Sequence, residues 1–221
     1  MVRLHHFPLC PFSRKIRLVL GEKEIEALDL PVEPWAEPDR LAALNPAAEV
    51  PVLEDDEQRI ADSAVIAEYL EETRPEPALI SGTPAERAEI RRLVAWFDVK
   101  FVREVTEPLW GEKLLKRVRD RDTPHSVAVR AGLANVNAHL ECIGYLFERR
   151  NWLAGDSLSL ADLAAAAQLS VLDYLGDVPW DRHPEAKLWY ARVKSRRSFR
   201  PLLADRLPCV KPADHYADLD F

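Results

Sequence analysis

The 221-residue sequence predicts a small α/β sandwich followed by an all-α helical bundle. Three observations lead there. Residues 1–76 alternate short β-type runs with amphipathic helical ones. Pro75, Pro77, Gly82 and Pro84 then interrupt the pattern and mark a linker. Beyond it, apolar residues recur with helical period and almost no strand-type alternation. The chain therefore divides into an α/β domain over 1–76, a helical domain over 84–206 and an extended tail over 207–221.

In order along the chain, residues 3–7 and 27–32 read as strands with an amphipathic helix, 12–23, between them. That β-α-β unit implies a parallel strand pair with a right-handed crossover. A helical stretch ends near Leu44 and the turn Asn45-Pro46. Two more strands, 50–54 and 59–61, flank the acidic turn Asp55-Asp56-Glu57. Asp62-Ser63 opens a helix whose apolar stripe is Val65, Ile66, Tyr69 and Leu70. The second domain reads as long helices over 84–119, 126–149 and 159–174, with shorter ones starting at Pro184 and Ser198.

Composition narrows the functional classes. A net charge of −7 argues against general nucleic-acid affinity, and the basic clusters at 113–121 and 192–200 read as solvated helix faces. No apolar run approaches a membrane span and no secretory segment follows Met1, so the expected compartment is the cytoplasm. Cys10, Cys142 and Cys209 are odd in number and widely spaced, unlike a disulfide framework or a zinc site, and Cys142 reads as a plain buried thiol. The six histidines lack metal-ligand spacing and the seven glycines form no phosphate loop, so no metal is expected.

The candidate reactive centre is Cys10, in Leu9-Cys10-Pro11-Phe12-Ser13-Arg14-Lys15. It lies between the first strand and the first helix, where free N–H groups and the positive end of the helix dipole favour a thiolate. A lowered thiol pKa would make it a nucleophile. The spacing is Cys-x-x-Ser, which permits a mixed disulfide with a small thiol but no internal one.

This layout resembles the glutathione S-transferase superfamily over essentially the whole chain, which implies a thioredoxin-like N-terminal domain and a helical C-terminal bundle. Glu49-Val50-Pro51-Val52-Leu53 is similar to the family's cis-proline strand entrance, so the resemblance implies a cis Val50-Pro51 bond that exposes the Val50 backbone to a peptide-like ligand. Asp62-Ser63 matches the acidic-Ser pair at the start of the third helix. A hydroxyl and free N–H groups there suit the α-carboxylate of a γ-glutamyl group, and the acid suits its ammonium; a plain helix cap is the alternative. Ser159-Leu160-Ala161-Asp162 resembles the superfamily's buried helix-start motif and is assigned to folding.

Within the superfamily, Cys10-Pro11-Phe12-Ser13 is similar to the cysteine-bearing, omega-like and glutaredoxin-like branch. The resemblance implies glutathione as co-substrate, a small electrophile or mixed disulfide as second substrate, and a homodimer. Ser13 is the alternative active group, as a hydroxyl donor to a glutathione thiolate. The omega-like pattern has a lysine where this chain has Trp35, among the acids Glu33 and Glu37; Arg40 would substitute if it reached back. Trp35 reads either as an exposed protein-contact anchor or as packing against its own domain or a dimer mate. The ending His215-Tyr216-Ala217-Asp218-Leu219-Asp220-Phe221, with Trp35 and the run 91–98, resembles a bacterial subgroup of transferase-like cell-division proteins that bind FtsZ filaments. Membership there implies a dimeric scaffold, with Trp35, Asp218, Asp220 and Phe221 as partner contacts.

Overall fold

The computed structural model describes residues 1–219, so the expected contacts Asp220 and Phe221 lie outside the described residues. The chain forms two compact units, Met1–Ala78 with Arg197–Asp205, and Leu79–Arg196 with the C-terminal segment from Arg206.

The first unit is a four-stranded mixed sheet, β2-β1-β3-β4, with helices. Strand β1 (Val2–His6) pairs in parallel with β2 (Ala27–Pro31) across helix α1 (Pro11–Glu22), as the β-α-β pattern predicts. It pairs antiparallel with β3 (Val52–Asp55), which turns back into β4 (Gln58–Ala61). Helices α2 (Pro38–Leu44) and α3 (Ser63–Thr73) complete the sequence order. Leu4, Ile16, Leu18, Val52, Leu53, Ile66 and Leu70 are fully buried, each contributing roughly 1.5–3 kcal/mol of apolar transfer. On α3 the buried face is Ser63, Ile66, Ala67 and Leu70, so Ile66 and Leu70 of the expected stripe are buried and Val65 and Tyr69 are not. Val65 is exposed, and Tyr69 turns its hydroxyl to Asp55 at 2.9 Å.

Residues 197–205 correct the expected boundary, because they group with the first unit and not with the bundle. Asp205 explains why: one carboxylate oxygen accepts from Arg14 at 2.9 Å and from Arg17 at 2.8 Å. Gly21 lets this segment approach α1, since a Cβ there would sit 2.8 Å from that of Ser198.

The second unit is helical. Helix α4 (Pro84–Ala95) starts in a Thr83–Glu86 capping box and continues into a wide-turned helix, Trp96–Asp120, whose end bonds Arg121 N–H to Lys116 O. Helices α5 (Ser126–Phe147), α6 (Leu160–Leu175) and α7 (Pro184–Lys194) follow; the short α8 (Arg200–Leu203) belongs to the first unit. Helix α6 is the axis of the unit, buried from Leu160 to Tyr174. Ala161 and Ala164 to Ala167 give it the slenderness to be packed on every side. No helix is long and apolar enough to cross a membrane.

Candidate functional site

Cys10 is the N-cap of α1, with extended backbone, and Pro11 opens the helix where a missing N–H costs nothing. The Cys10 N–H donates to Phe7 O at 2.9 Å, which folds the loop after β1 back on itself. The Val50-Pro51 bond is cis, as the resemblance implies, and the Cys10 thiol faces the Val50 carbonyl with Sγ to O of 3.9 Å. Ser13 is fully buried, and its Oγ accepts the Phe7 N–H at 3.3 Å. The sequence therefore brings Cys10, Ser13, Val50 and Pro51 together.

The expected thiolate is where the structure departs from sequence reasoning. Cys10 is 6% exposed, and its burial raises the thiol pKa above the ordinary value. The Ser13 N–H and hydroxyl, the Phe12 N–H and the Arg14 charge all favour the anion, yet together they fall short of the desolvation cost. Arg14 is moreover committed elsewhere: its Nε donates to Pro8 O at 2.8 Å and its charge is shared with Asp205. Burial thus outweighs the helix N-terminus here and holds the Cys10 thiol above its ordinary range.

Asp62 is the N-cap of α3, in a left-handed conformation with φ of 70°, and its Oδ1 accepts from Ala64 N at 2.7 Å. Asp62 is exposed and Ser63 is buried behind it. Arg40 does not reach back. It is exposed and paired with Glu37 at 2.7 Å, a local contact that uses the charge the glycine carboxylate of a tripeptide would need. Trp35 is half-buried, because its ring meets Phe7 edge-on with centroids 5.1 Å apart. It packs against its own domain.

The segment expected as an extended tail lies against the helical unit. Tyr216 is fully buried against Tyr174, with centroids 5.1 Å apart, and Tyr174 OH donates to Val210 O at 2.6 Å. The tail's Tyr216 therefore packs onto its own chain. Asp218 is exposed at the surface beyond it. Cys142 is half-buried, with its thiol raised by burial, and Cys209 is exposed. Among the described residues no three His, Cys, Asp or Glu side chains converge as a metal site.

Sequence reasoning missed two buried polar centres. In one, Trp96 Nε1 donates to His139 Nδ1 at 3.0 Å, and the opposite ring nitrogen lies 3.1 Å from Glu104. In the other, Asp173 gathers Trp180, Tyr190, Lys194 and His215. Both draw partners from distant positions, and no local spacing announces them.

Family models for the glutathione S-transferase N-terminal and C-terminal domains match residues 4–78 and 120–197. The chain belongs to the glutathione S-transferase family. It is 50% identical, over 99% of its length and 97% of the relative's, to FtsZ-localized protein A of Caulobacter vibrioides. Mouse glutathione S-transferase omega-2 is 28% identical over 93% of this chain and 80% of the relative. Among solved structures, a glutathione S-transferase from Rhodospirillum rubrum F11 superposes with a TM-score of 0.98 at 55% identity, covering 100% of both chains. FzlA from C. crescentus superposes with a TM-score of 0.96 at 49% identity, covering 100% of this chain and 99% of that one.

Proposed function

We propose that this chain is a transferase-fold protein that works as a dimeric, cytoplasmic binding partner of FtsZ polymer, with its ancestral thiol site reduced to a structural element. The carrying observation is its 50% identity, end to end, with a protein described as FtsZ-localized. The chemistry at Cys10 points the same way, since a neutral, 6% exposed thiol is a poor nucleophile. Trp35 supplies a half-presented aromatic anchor and Asp218 an exposed acid near the C-terminus; Asp220 and Phe221 extend that acidic and apolar patch in sequence.

A second reading is kept because specific elements favour it. The cis Val50-Pro51 bond beside Cys10 and the buried Ser63 at the start of α3 are what a γ-glutamyl tripeptide would use. In this reading the protein transfers glutathione to a small electrophile or reduces a mixed disulfide, with Cys10 or Ser13 at the sulfur and Asp62 and Ser63 on the γ-glutamyl end. The test is co-sedimentation with FtsZ polymer beside calorimetric titration with glutathione. Pelleting with FtsZ together with absent or millimolar glutathione binding is the expected result. No pelleting, with tight glutathione binding and turnover lost in Cys10→Ala, would replace the first reading by the second.

A further inference from the structure

Residues 206–219 lie on the helical unit as a strap with hardly any regular secondary structure. Residues Arg206, Leu207, Val210, Lys211, Pro212 and Ala217 help wall a hollow of about 480 Å3. Ordering a segment with so little regular structure costs backbone entropy. Contacts with α6 and α7 offset that cost, through Tyr174, Asp173 and Lys194.

Asp173, on the last turn of α6, is completely buried. Its Oδ1 accepts from Trp180 Nε1 at 2.8 Å and from His215 Nε2 at 2.9 Å. Its Oδ2 accepts from Tyr190 OH at 3.3 Å and from Lys194 Nζ at 3.4 Å. Lys194, itself fully buried, also reaches the His215 carbonyl at 3.5 Å and lies 5.8 Å from the Tyr216 ring centre. Tyr174, the next residue on α6, bonds the strap three times more: its OH donates to Val210 O and accepts from Leu207 N at 3.4 Å, and its carbonyl accepts from Ala213 N at 2.9 Å. Two of these holding side chains, His215 and Tyr216, belong to the strap. His215 differs from the rest in being 38% exposed, so it closes the network from the solvent side.

We propose that His215 is a positioning residue: by donating to Asp173 it locks the strap onto α6 and so fixes where the exposed Asp218 stands for a partner. The partner clause rests on the FtsZ reading above; the locking clause does not. His215 needs no contact with the partner. It acts through Tyr216, whose docking is set by the residue before it, and Asp218 follows one turn later, with its N–H on the His215 carbonyl at 3.0 Å. Removing the imidazole leaves a buried carboxylate short of one donor and the strap short of one tie, while Tyr190 and Lys194 keep α6 and α7 joined.

The experiment compares the full chain with His215→Ala and His215→Gln, whose side-chain amide can donate in place of the imidazole. Hydrogen exchange over 206–219 and co-sedimentation with FtsZ polymer are both read. His215→Ala is expected to exchange about tenfold faster in the strap, as for loss of one charge-assisted hydrogen bond, with α6 amides unchanged. Its pelleting with FtsZ falls in parallel, and His215→Gln recovers both. Unchanged strap exchange in His215→Ala would overturn the lock. A loosened strap with unchanged pelleting would overturn the positioning role. Wild-type protein that never pellets would overturn the FtsZ reading itself, and the exchange arm would still decide the lock.

Discussion

Cys10 and Asp162 occupy the same kind of place, the start of a helix in a protein interior, and end in opposite states of support. Asp162 is fully buried, yet its carboxylate accepts from Leu153 N, Ser159 N, Ser159 Oγ and Trp189 Nε1, each at 3.0 Å. The Cys10 thiol faces the Val50 carbonyl at 3.9 Å and has only the Ser13 and Phe12 donors of its own loop. Burial raises the pKa of both groups. At Asp162 four directed donors are built in against that cost; at Cys10 the opposing donors are shared with the loop itself. A helix terminus therefore offers an anion only a modest preference, and the directed donors around it decide whether the charge is tolerated.

The largest expected effect separates the two centres by stability. Asp162→Ala strands a buried indole N–H and two backbone N–H groups and should cost about 3–5 kcal/mol. Cys10→Ala removes roughly one buried methylene equivalent and should cost about 1 kcal/mol. Urea unfolding of the two variants measures the gap, and equal losses would dissolve the contrast.

Acid sensitivity sharpens it next. His6, at the end of β1 near the Cys10 loop, is buried without hydrogen bonds at either ring nitrogen, and its pKa is lowered to about 3, first by desolvation and then by Arg17 and Arg14. Because the folded pKa lies below the unfolded one, the unfolded chain takes the proton first. Stability from this group is complete above the unfolded value near 6.5 and is lost as pH falls towards 3, by up to about 1.4 kcal/mol per pH unit. His6→Phe should flatten that slope; a slope unchanged in unfolding curves from pH 7 to 4 would count against it.

Thiol labelling gives a smaller, kinetic contrast. At pH 7.5, iodoacetamide should modify exposed Cys209 at least about tenfold faster than Cys10, with half-buried Cys142 between them. Preferential labelling of Cys10 would restore the activated nucleophile. The smallest stability effect is expected for Trp35→Ala, about 0.5–1.5 kcal/mol for its edge-on contact with Phe7. The same variant should lose FtsZ pelleting out of proportion to that cost.

The fold was legible because it rests on local signals: strand alternation before Pro75, helical period after Pro84, and Ser159 with Asp162 at a helix start. The cis Val50-Pro51 bond was legible only through the family motif, since a lone Val-Pro is ordinarily trans. What stayed hidden depends on contacts between distant positions. Asp205 reaches Arg14 across the sequence and carries residues 197–205 into the first unit. Asp173 collects His215 in the same way and turns an apparent tail into a docked strap. The thiol state of Cys10 was misjudged for a related reason. A sequence shows the helix start and its dipole, but not the 6% exposure that outweighs them.

One measurement tests the central claim most directly: co-sedimentation of wild type and Cys10→Ala with FtsZ polymer, read beside glutathione-dependent turnover of the same two proteins. A surface-acting protein with a neutral, structural thiol pellets equally in both forms and turns over in neither. Absent pelleting, with turnover that Cys10→Ala abolishes, would contradict it.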